Sequence, residues 1–245
     1  MRTEIIYEDK DILVICKPAG LAVQTARVGQ ADVVSELKNH LAGKRTGSYL
    51  GIIHRLDQPV EGLLVFARHQ KAAASLSRQL LRQDGEESLN KQYLGVLWGR
   101  PDAKEGTLVG EMYKDASGKA VVLDCPGEGA GRKQQAGKPA KKAVLHFRIL
   151  AGKEAGTNLQ AGQISLADIT IDTGRFHQIR AQMAHMGNPL LGDVKYGTED
   201  SCLLSKHLQV KNVALCAYKL EFVHPVTGEK MHFQVKPEGD VFYLF

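Results

Sequence analysis

The sequence is poor in several residue types, and each shortage removes a class of protein. Its four cysteines, Cys16, Cys125, Cys202 and Cys216, form no C-x-x-C pair, and none has histidine at zinc-ligand spacing. A disulfide scaffold and a cysteine-built zinc module are therefore excluded, and reduced thiols are expected. Aromatic residues make up only 6% of the chain, so any stacking on bases must rest on a few rings. No apolar run approaches the ~18 residues of a membrane-spanning helix. The first residues carry Glu4, Glu8, Asp9 and Asp11 and lack the apolar core of a signal peptide, so the cytoplasm is the expected compartment. A G-x-S-x-G nucleophile elbow is missing too, which leaves an ester or nucleoside hydrolase without support.

What is present is an ordinary globular composition, 43% hydrophobic and 24% charged, with a formal net charge of +5. A mildly basic chain suits a polyanionic partner, because Lys and Arg neutralise phosphates and release their counterions.

The N-terminal "DILVICKPAG" reads as a buried strand ended by a turn at Pro18 and Gly20. Asp32 is placed to cap a helix with Val33, Val34, Leu37 and Leu41 on one face. "YLGIIHRLDQPVEGLLVFAR" reads as strand, loop, strand, and the stretch from Gln70 to Arg82 as an amphipathic helix. From Lys91 a series of short β-rich segments follows, broken by helical signal from Phe176 to Met186, with Thr173 as the cap of a helix starting near Arg175. "AYKLEFVHPVTGEKMHFQV" reads as a hairpin. The fold class is α+β: a mixed, largely antiparallel bent sheet with flanking helices. Residues 126–142, nearly devoid of apolar side chains, form an expected flexible loop insertion. This loop is no phosphate loop: Gly131 to Gly137 is one residue too long and Pro139 stands where Ser or Thr belongs.

Three places can carry chemistry. His54-Arg55-Leu56-Asp57 sits in a loop between apolar runs, and a carboxylate beside an arginine is stabilised as an anion able to act as a nucleophile. An Arg–Asp pair closing a turn would give the same tetrapeptide. The second is "TGRFHQIRAQMAHMGNPLLGDVKYG", where Arg175 and Arg180 would project about 140° apart on a helix. His177 and His185 share a face but have no third ligand, so no metal site is expected. The third is Tyr93 on a strand, suited to stacking on a base or moving a proton, and equally to a half-buried core position.

Taken together, "HRLDQPVEGLL", the pair Lys91 and Tyr93, "GRFHQIR", "GDVKYG" and "AYKLEFVHPVTGE" resemble, in order, the motifs of the RluA family of pseudouridine synthases. The resemblance runs from "IIYEDKDILVICKPAGL" to the C-terminus. It implies the pseudouridine synthase catalytic fold over residues 1–245 as a single domain, with no separate N-terminal RNA-binding domain. It implies Asp57 as nucleophile, Tyr93 as the ring against the base, and Arg180 as the cation that keeps Asp57 ionised. It implies His54, Arg55, Arg175, His177 and Gln178 as substrate contacts, with Arg55 filling the gap left by the flipped nucleotide. Neither metal nor organic cofactor is implied. The implied partner is structured RNA, ribosomal or transfer, and the implied state is a monomer. A catalytically silent RNA-binding protein on the same fold is the alternative. Departures from the family pattern are Val60-Glu61 where Thr-Ser is usual, and Phe176 where Thr is usual; Glu61 adds a carboxylate close to the nucleophile loop.

Overall fold

The computed structural model describes residues 1–27, 29–42, 49–81, 88–124, 139–156 and 162–245. In chain order the elements are β1 (Glu4–Glu8), β2 (Ile12–Lys17), α1 (Val33–Ala42), β3 (Gly51–Ile52), β4 (Glu61–Ala67), α2 (Gln70–Leu81) and β5 (Asn90–Trp98). Then come β6 (Glu105–Lys114), β7 (Ala120–Leu123), β8 (Lys141–Ala155), β9 (Gly162–Ile171), α3 (Gln178–His185), α4 (Glu199–His207), β10 (Leu215–Val223) and β11 (Lys230–Gln234). A short 3-10 helix at Asp240–Leu244 ends the chain. By contacts the chain divides into two compact units, Met1–Gln92 with Cys216–Glu238, and Tyr93–Leu215 with Gly239–Phe245.

In the first unit β2 pairs antiparallel with β1 and β4, and β10 pairs antiparallel with β11. The parallel partner of β4 is β10, through Cys216 opposite Glu61 and Ala217 opposite Gly62. Gly62 has φ +122 and a Cβ there would sit 2.4 Å from the Ala217 carbonyl oxygen, so only glycine permits this approach. All seven residues of β4 are buried, as expected of a strand covered on both faces. Its Leu63 and Val65 pack with Ile12, Val14, Ala72, Leu76, Leu220 and Phe222. Each large side chain so buried contributes roughly 1.5–3 kcal/mol. α1 begins where Asp32 accepts the Ser35 N–H at 2.7 Å, as its sequence position predicts.

In the second unit the strand order is β5, β9, β8, β6, β7. β6, β8 and β9 pair antiparallel, with a bulge between Ile149 and Ala151. One core joins Val96, Ile164, Leu191, Leu204, Ala214 and Val241; a second joins Met112, Ala120, Ala143 and Ala181.

The α+β expectation holds, and β4–β10 is a parallel pair in a mixed sheet. α3 starts at Gln178, later than expected, because His177 turns the chain with φ 54. Thr173 does not cap it; its hydroxyl donates to Gln178 Oε1 and accepts the Val144 N–H instead. The expected loop at 126–142 lies, up to residue 138, outside the described residues, and Lys141 and Lys142 already belong to β8. No helix among the described residues is long and apolar enough to cross a membrane.

Candidate active site

The H-R-L-D loop belongs to the first unit and alternates inward and outward. His54 and Leu56 are buried, Arg55 is exposed and Asp57 is half-buried. The turn closes with the Val60 N–H donating to the Asp57 carbonyl at 3.1 Å. His54 Nε2 accepts the Val65 N–H, a long contact at 3.4 Å. Burial first, and the Lys91 charge second, hold its imidazole well below the usual histidine range, so it is neutral at pH 7. Lys91 is itself pushed down to about 8 by burial.

Behind this loop stands Lys17, fully buried at the end of β2. Its three ammonium protons meet three backbone carbonyls, of Pro18 at 2.9 Å, Leu21 at 2.8 Å and Gln58 at 3.1 Å. The Gly20 N–H also donates to Gln58 O, at 2.8 Å. The residue next to Asp57 is thus fastened to the K-P-A-G turn. Burial lowers the Lys17 ammonium to about 8, and the Asp57 and Glu61 carboxylates pull the other way. Glu61 does not face solvent: it is buried, and its carboxylate accepts the Glu238 N–H at 3.2 and 3.3 Å. Burial pushes the neighbouring Cys16 thiol up to about 12, helped by Glu238 and Glu61, so this cysteine is a packed, unreactive thiol.

The second unit carries Tyr93, Arg175, His177, Gln178 and Arg180. Tyr93 is 5% exposed on β5. Arg180 on α3 is buried and makes a two-pronged ion pair with Asp193, Nε to Oδ2 at 2.7 Å and Nη2 to Oδ1 at 2.9 Å. Fork-to-fork geometry of this kind fixes an arginine in direction as well as in charge. Asp193 Oδ1 also accepts the backbone N–H groups of Lys195 at 3.1 Å and Tyr196 at 3.3 Å. The glycines of G-D-V-K-Y-G follow from this. Gly192 has φ +74 and a Cβ would lie 2.0 Å from the Asn212 oxygen; a Cβ on Gly197 would lie 2.5 Å from the Asp193 oxygen. Tyr196 places its ring 5.2 Å from the Arg180 guanidinium carbon, and its hydroxyl accepts the Ala120 N–H and bonds His177 Nδ1 at 2.9 Å. The two sequence motifs are therefore one structure, locked by Arg180–Asp193 and His177–Tyr196.

Gln178 is buried, with Oε1 accepting from Thr173 and Arg175 and Nε2 donating to the Val144 carbonyl. Arg175 is half-buried and its Nε donates to the Lys142 carbonyl at 2.8 Å. Asp193, Tyr196 and Lys17 were not among the site residues expected from sequence. Asp193 and Tyr196 stand inside the quoted "GDVKYG", whose Asp-to-Tyr spacing is the signal for a side chain capping its own turn.

Asp9, Asp11 and His224 bring one ligand atom each to within 4.8 Å of one another. His224 Nδ1 accepts the Val226 and Thr227 N–H groups, so its proton sits on Nε2, which donates to Asp9 at 2.9 Å. Burial alone would raise the Asp9 carboxyl, but bonds from Ile12, Asp11, Tyr7 and His224 bring it below its usual range. These bonds account for the cluster as a hydrogen-bonded network tying β10 to the β1–β2 turn.

A sequence profile described as RNA pseudouridylate synthase matches residues 11–185, which takes in H-R-L-D, Tyr93 and α3. The chain belongs to that family. It is 33% identical over 253 residues to ribosomal large subunit pseudouridine synthase D of Zymomonas mobilis, covering 99% of this chain and 71% of that one. To the RNA pseudouridine synthase YhcT of Bacillus subtilis it is 32% identical over 227 residues, covering 92% of this chain and 66% of the relative. Among solved structures, human RNA pseudouridylate synthase domain containing 1 superposes with a TM-score of 0.72 at 19% identity, over 96% of this chain and 83% of the other. That likeness is one of fold. The protein is an RNA pseudouridine synthase, an isomerase.

Proposed function

We propose that the pseudouridine synthase works on ribosomal RNA of the large subunit with Asp57 as nucleophile. The observation that carries the residue assignment is the anchored Asp57 loop. A half-buried carboxylate is backed by the Lys17 ammonium, and Lys17 in turn is fixed by three carbonyls, one of them from the next residue. A carboxylate placed beside a fixed ammonium is suited to act as a nucleophile. The substrate assignment is supported by the Zymomonas mobilis relative, whose name specifies the large ribosomal subunit.

In this reading the target uridine is flipped from its stack at a cost of a few kcal/mol, offset by phosphate contacts from basic side chains. Asp57 attacks either the anomeric carbon or carbon 6 of the ring. The N1–C1′ bond breaks, the base turns, a C5–C1′ bond forms, and the bond from Asp57 to the substrate breaks to return the free carboxylate. The proton leaves C5 and N1 is protonated, so the reaction is neutral in atoms and electrons and the chain's own residues suffice. Tyr93 packs on the base and assists the C5 proton. Arg180, with its Nε and Nη2 held by Asp193, supplies a fixed cation to the reaction. Exposed Arg55 occupies the gap left by the flipped nucleotide, Arg175 and His177 line the binding surface, and buried His54 and Gln178 support it from beneath. In this reading residues 1–245 serve as a single catalytic domain, as a monomer, in the cytoplasm.

The test is carbodiimide mapping of pseudouridine in total cellular RNA, with and without the gene. A stop in large-subunit RNA that vanishes on deletion and returns with wild type, but not with Asp57→Asn, is the expected result. Full restoration by Asp57→Asn would sink the nucleophile assignment, and a stop confined to transfer RNA would sink the substrate.

A further inference from the structure

Phe176 is the family-pattern departure in "GRFHQIR", and it stands at a peculiar place in the second unit. A large aromatic side chain at the head of α3 would be expected to bury itself, yet Phe176 is 43% exposed. One face of its ring stacks on the His177 imidazole, at 3.7 Å between centroids and 20° between planes. His177 is itself held rigidly: its backbone has φ 54, its ring meets Tyr196 edge-on, and its Nδ1 bonds the Tyr196 hydroxyl at 2.9 Å. The same Tyr196 lies against Arg180. So the ring is backed by a fixed stack that leads directly to the arginine of the site.

Two lysines flank it. The Lys114 ammonium lies over the Phe176 ring at 4.7 Å, and that of Lys195 at 6.0 Å. Lys195 is anchored, its Nζ donating to the Gly118 carbonyl at 2.6 Å. Lys114 is exposed at the end of β6. An ammonium over a ring face is a modest, exchangeable attraction at an exposed site. A flat π surface with two cations beside it is the combination that single-stranded nucleic acid takes: the base stacks, and the phosphates on either side meet the cations. An acidic peptide would use the lysines and leave the ring unused, and an apolar partner would leave the lysines unpaired.

We propose that Phe176, backed by His177 and flanked by Lys114 and Lys195, is a stacking platform for an unpaired RNA base outside the reacting uridine. This rests on the reading that the protein acts on RNA, and it adds a subsite to that reading. When the base arrives, the Lys114 ammonium moves from the ring face to the phosphodiester, while Lys195 stays in place. Stacking of this kind tolerates any base, since each has a π face.

The test uses a hairpin RNA whose loop holds 2-aminopurine and no uridine, so that binding is read without turnover. Wild type should quench the 2-aminopurine fluorescence on binding. Phe176→Ala and Phe176→Thr should lose the quench and weaken binding from about 5-fold to over 100-fold, the range of one lost base stack. Phe176→Tyr, which keeps a ring to stack on the base, should restore both. Lys114→Ala should reduce the slope of log affinity against log salt by about 0.7–0.9, one phosphate contact. With a uridine-containing RNA, Phe176→Ala should raise KM with little change in kcat. Equal affinity and equal quench for wild type and Phe176→Ala would overturn the platform while pseudouridine formation still stands. A wild type that shows the Phe176-dependent quench but makes no pseudouridine in the mapping assay would overturn the reaction and leave the platform standing.

Discussion

At the scale of single residues, the deciding contacts are ion pairs and caps in buried places. Arg180 and Asp193 are 6% and 2% exposed and joined by two short bonds. Removing one partner strands a buried charge, so Asp193→Ala should destabilise the fold by about 3–5 kcal/mol in a denaturant titration. It should also lower turnover, since the arginine loses its aim. Arg180→Ala should reduce kcat far more than Arg175→Ala, because Arg180 is buried while Arg175 is half-buried and bonds a strand carbonyl; equal rates for the two would remove this ranking. Glu61 illustrates how a residue's number in the sequence misleads. In sequence it places a carboxylate close to the nucleophile loop; in the fold it turns inward and accepts the Glu238 N–H. A strand alternates its faces, and β4 is buried on both, which leaves Glu61 no route to solvent.

At the scale of elements, helix starts and tight turns position the site. Asp32 caps α1 through Oδ1 to the Ser35 N–H, and its Oδ2 accepts the Thr25 N–H at 2.8 Å. Burial works to raise its carboxyl, and the bonds to Ser35 and Thr25 outweigh that and lower it. A carboxyl with a lowered folded-state pKa stabilises the fold above its unfolded value of 3.8, and this share disappears as the pH falls through the folded value. Asp32→Ala should therefore cost about 1–2 kcal/mol at pH 7 and less once the pH falls through the folded value, as read by thermal melts across the acid range. α3 shows the opposite case. Its sequence suggests a start near Arg175, but Arg175, Phe176 and His177 form a turn, and the helix starts after a left-handed residue. Propensity alone does not place a non-glycine residue at φ 54; the Tyr196 bond and the Phe176 stack hold it there.

At the scale of the whole chain, two buried lysines join charge to pH. Lys17 and Lys91 are each lowered to about 8 from 10.5 by burial. Between about 8 and 10.5 the folded chain holds fewer protons at these sites than the unfolded one, so each makes stability rise with pH over that window and contributes no slope below it. Activity should go the other way. Loss of the Lys17 charge removes the cation behind Asp57, so kcat should fall as the pH passes 8. A Lys17→Met variant should lose that alkaline limb in a pH–rate profile, and wild type should gain stability relative to it from pH 8 to 10.5. A limb unchanged in Lys17→Met would assign it to another group.

Much of the fold was legible in the sequence, because it depends on local pattern. Period-two runs bounded by Gly and Pro located the strands, the apolar face of Val33, Val34, Leu37 and Leu41 located α1, and the motif order pointed to the family. The short amphipathic helix α4 and the first strand β1 carry weaker patterns, and their place follows from packing: Leu204 of α4 sits in a core with Val96, Ile164 and Leu191. Which side chains meet is a separate matter. Asp193 lies 13 residues from Arg180, and Lys17 lies 41 residues from the carbonyl of Gln58 that it holds. No periodicity encodes such meetings, because a hydrogen bond between distant residues exists only once the backbone has brought them within about 3 Å. The sequence by itself determined which elements form and which chemistry is available. Only the tertiary structure decided that Glu61 points inward, that Asp193 aims Arg180, and that Phe176 stays on the surface, since each is an outcome of burial and partner geometry.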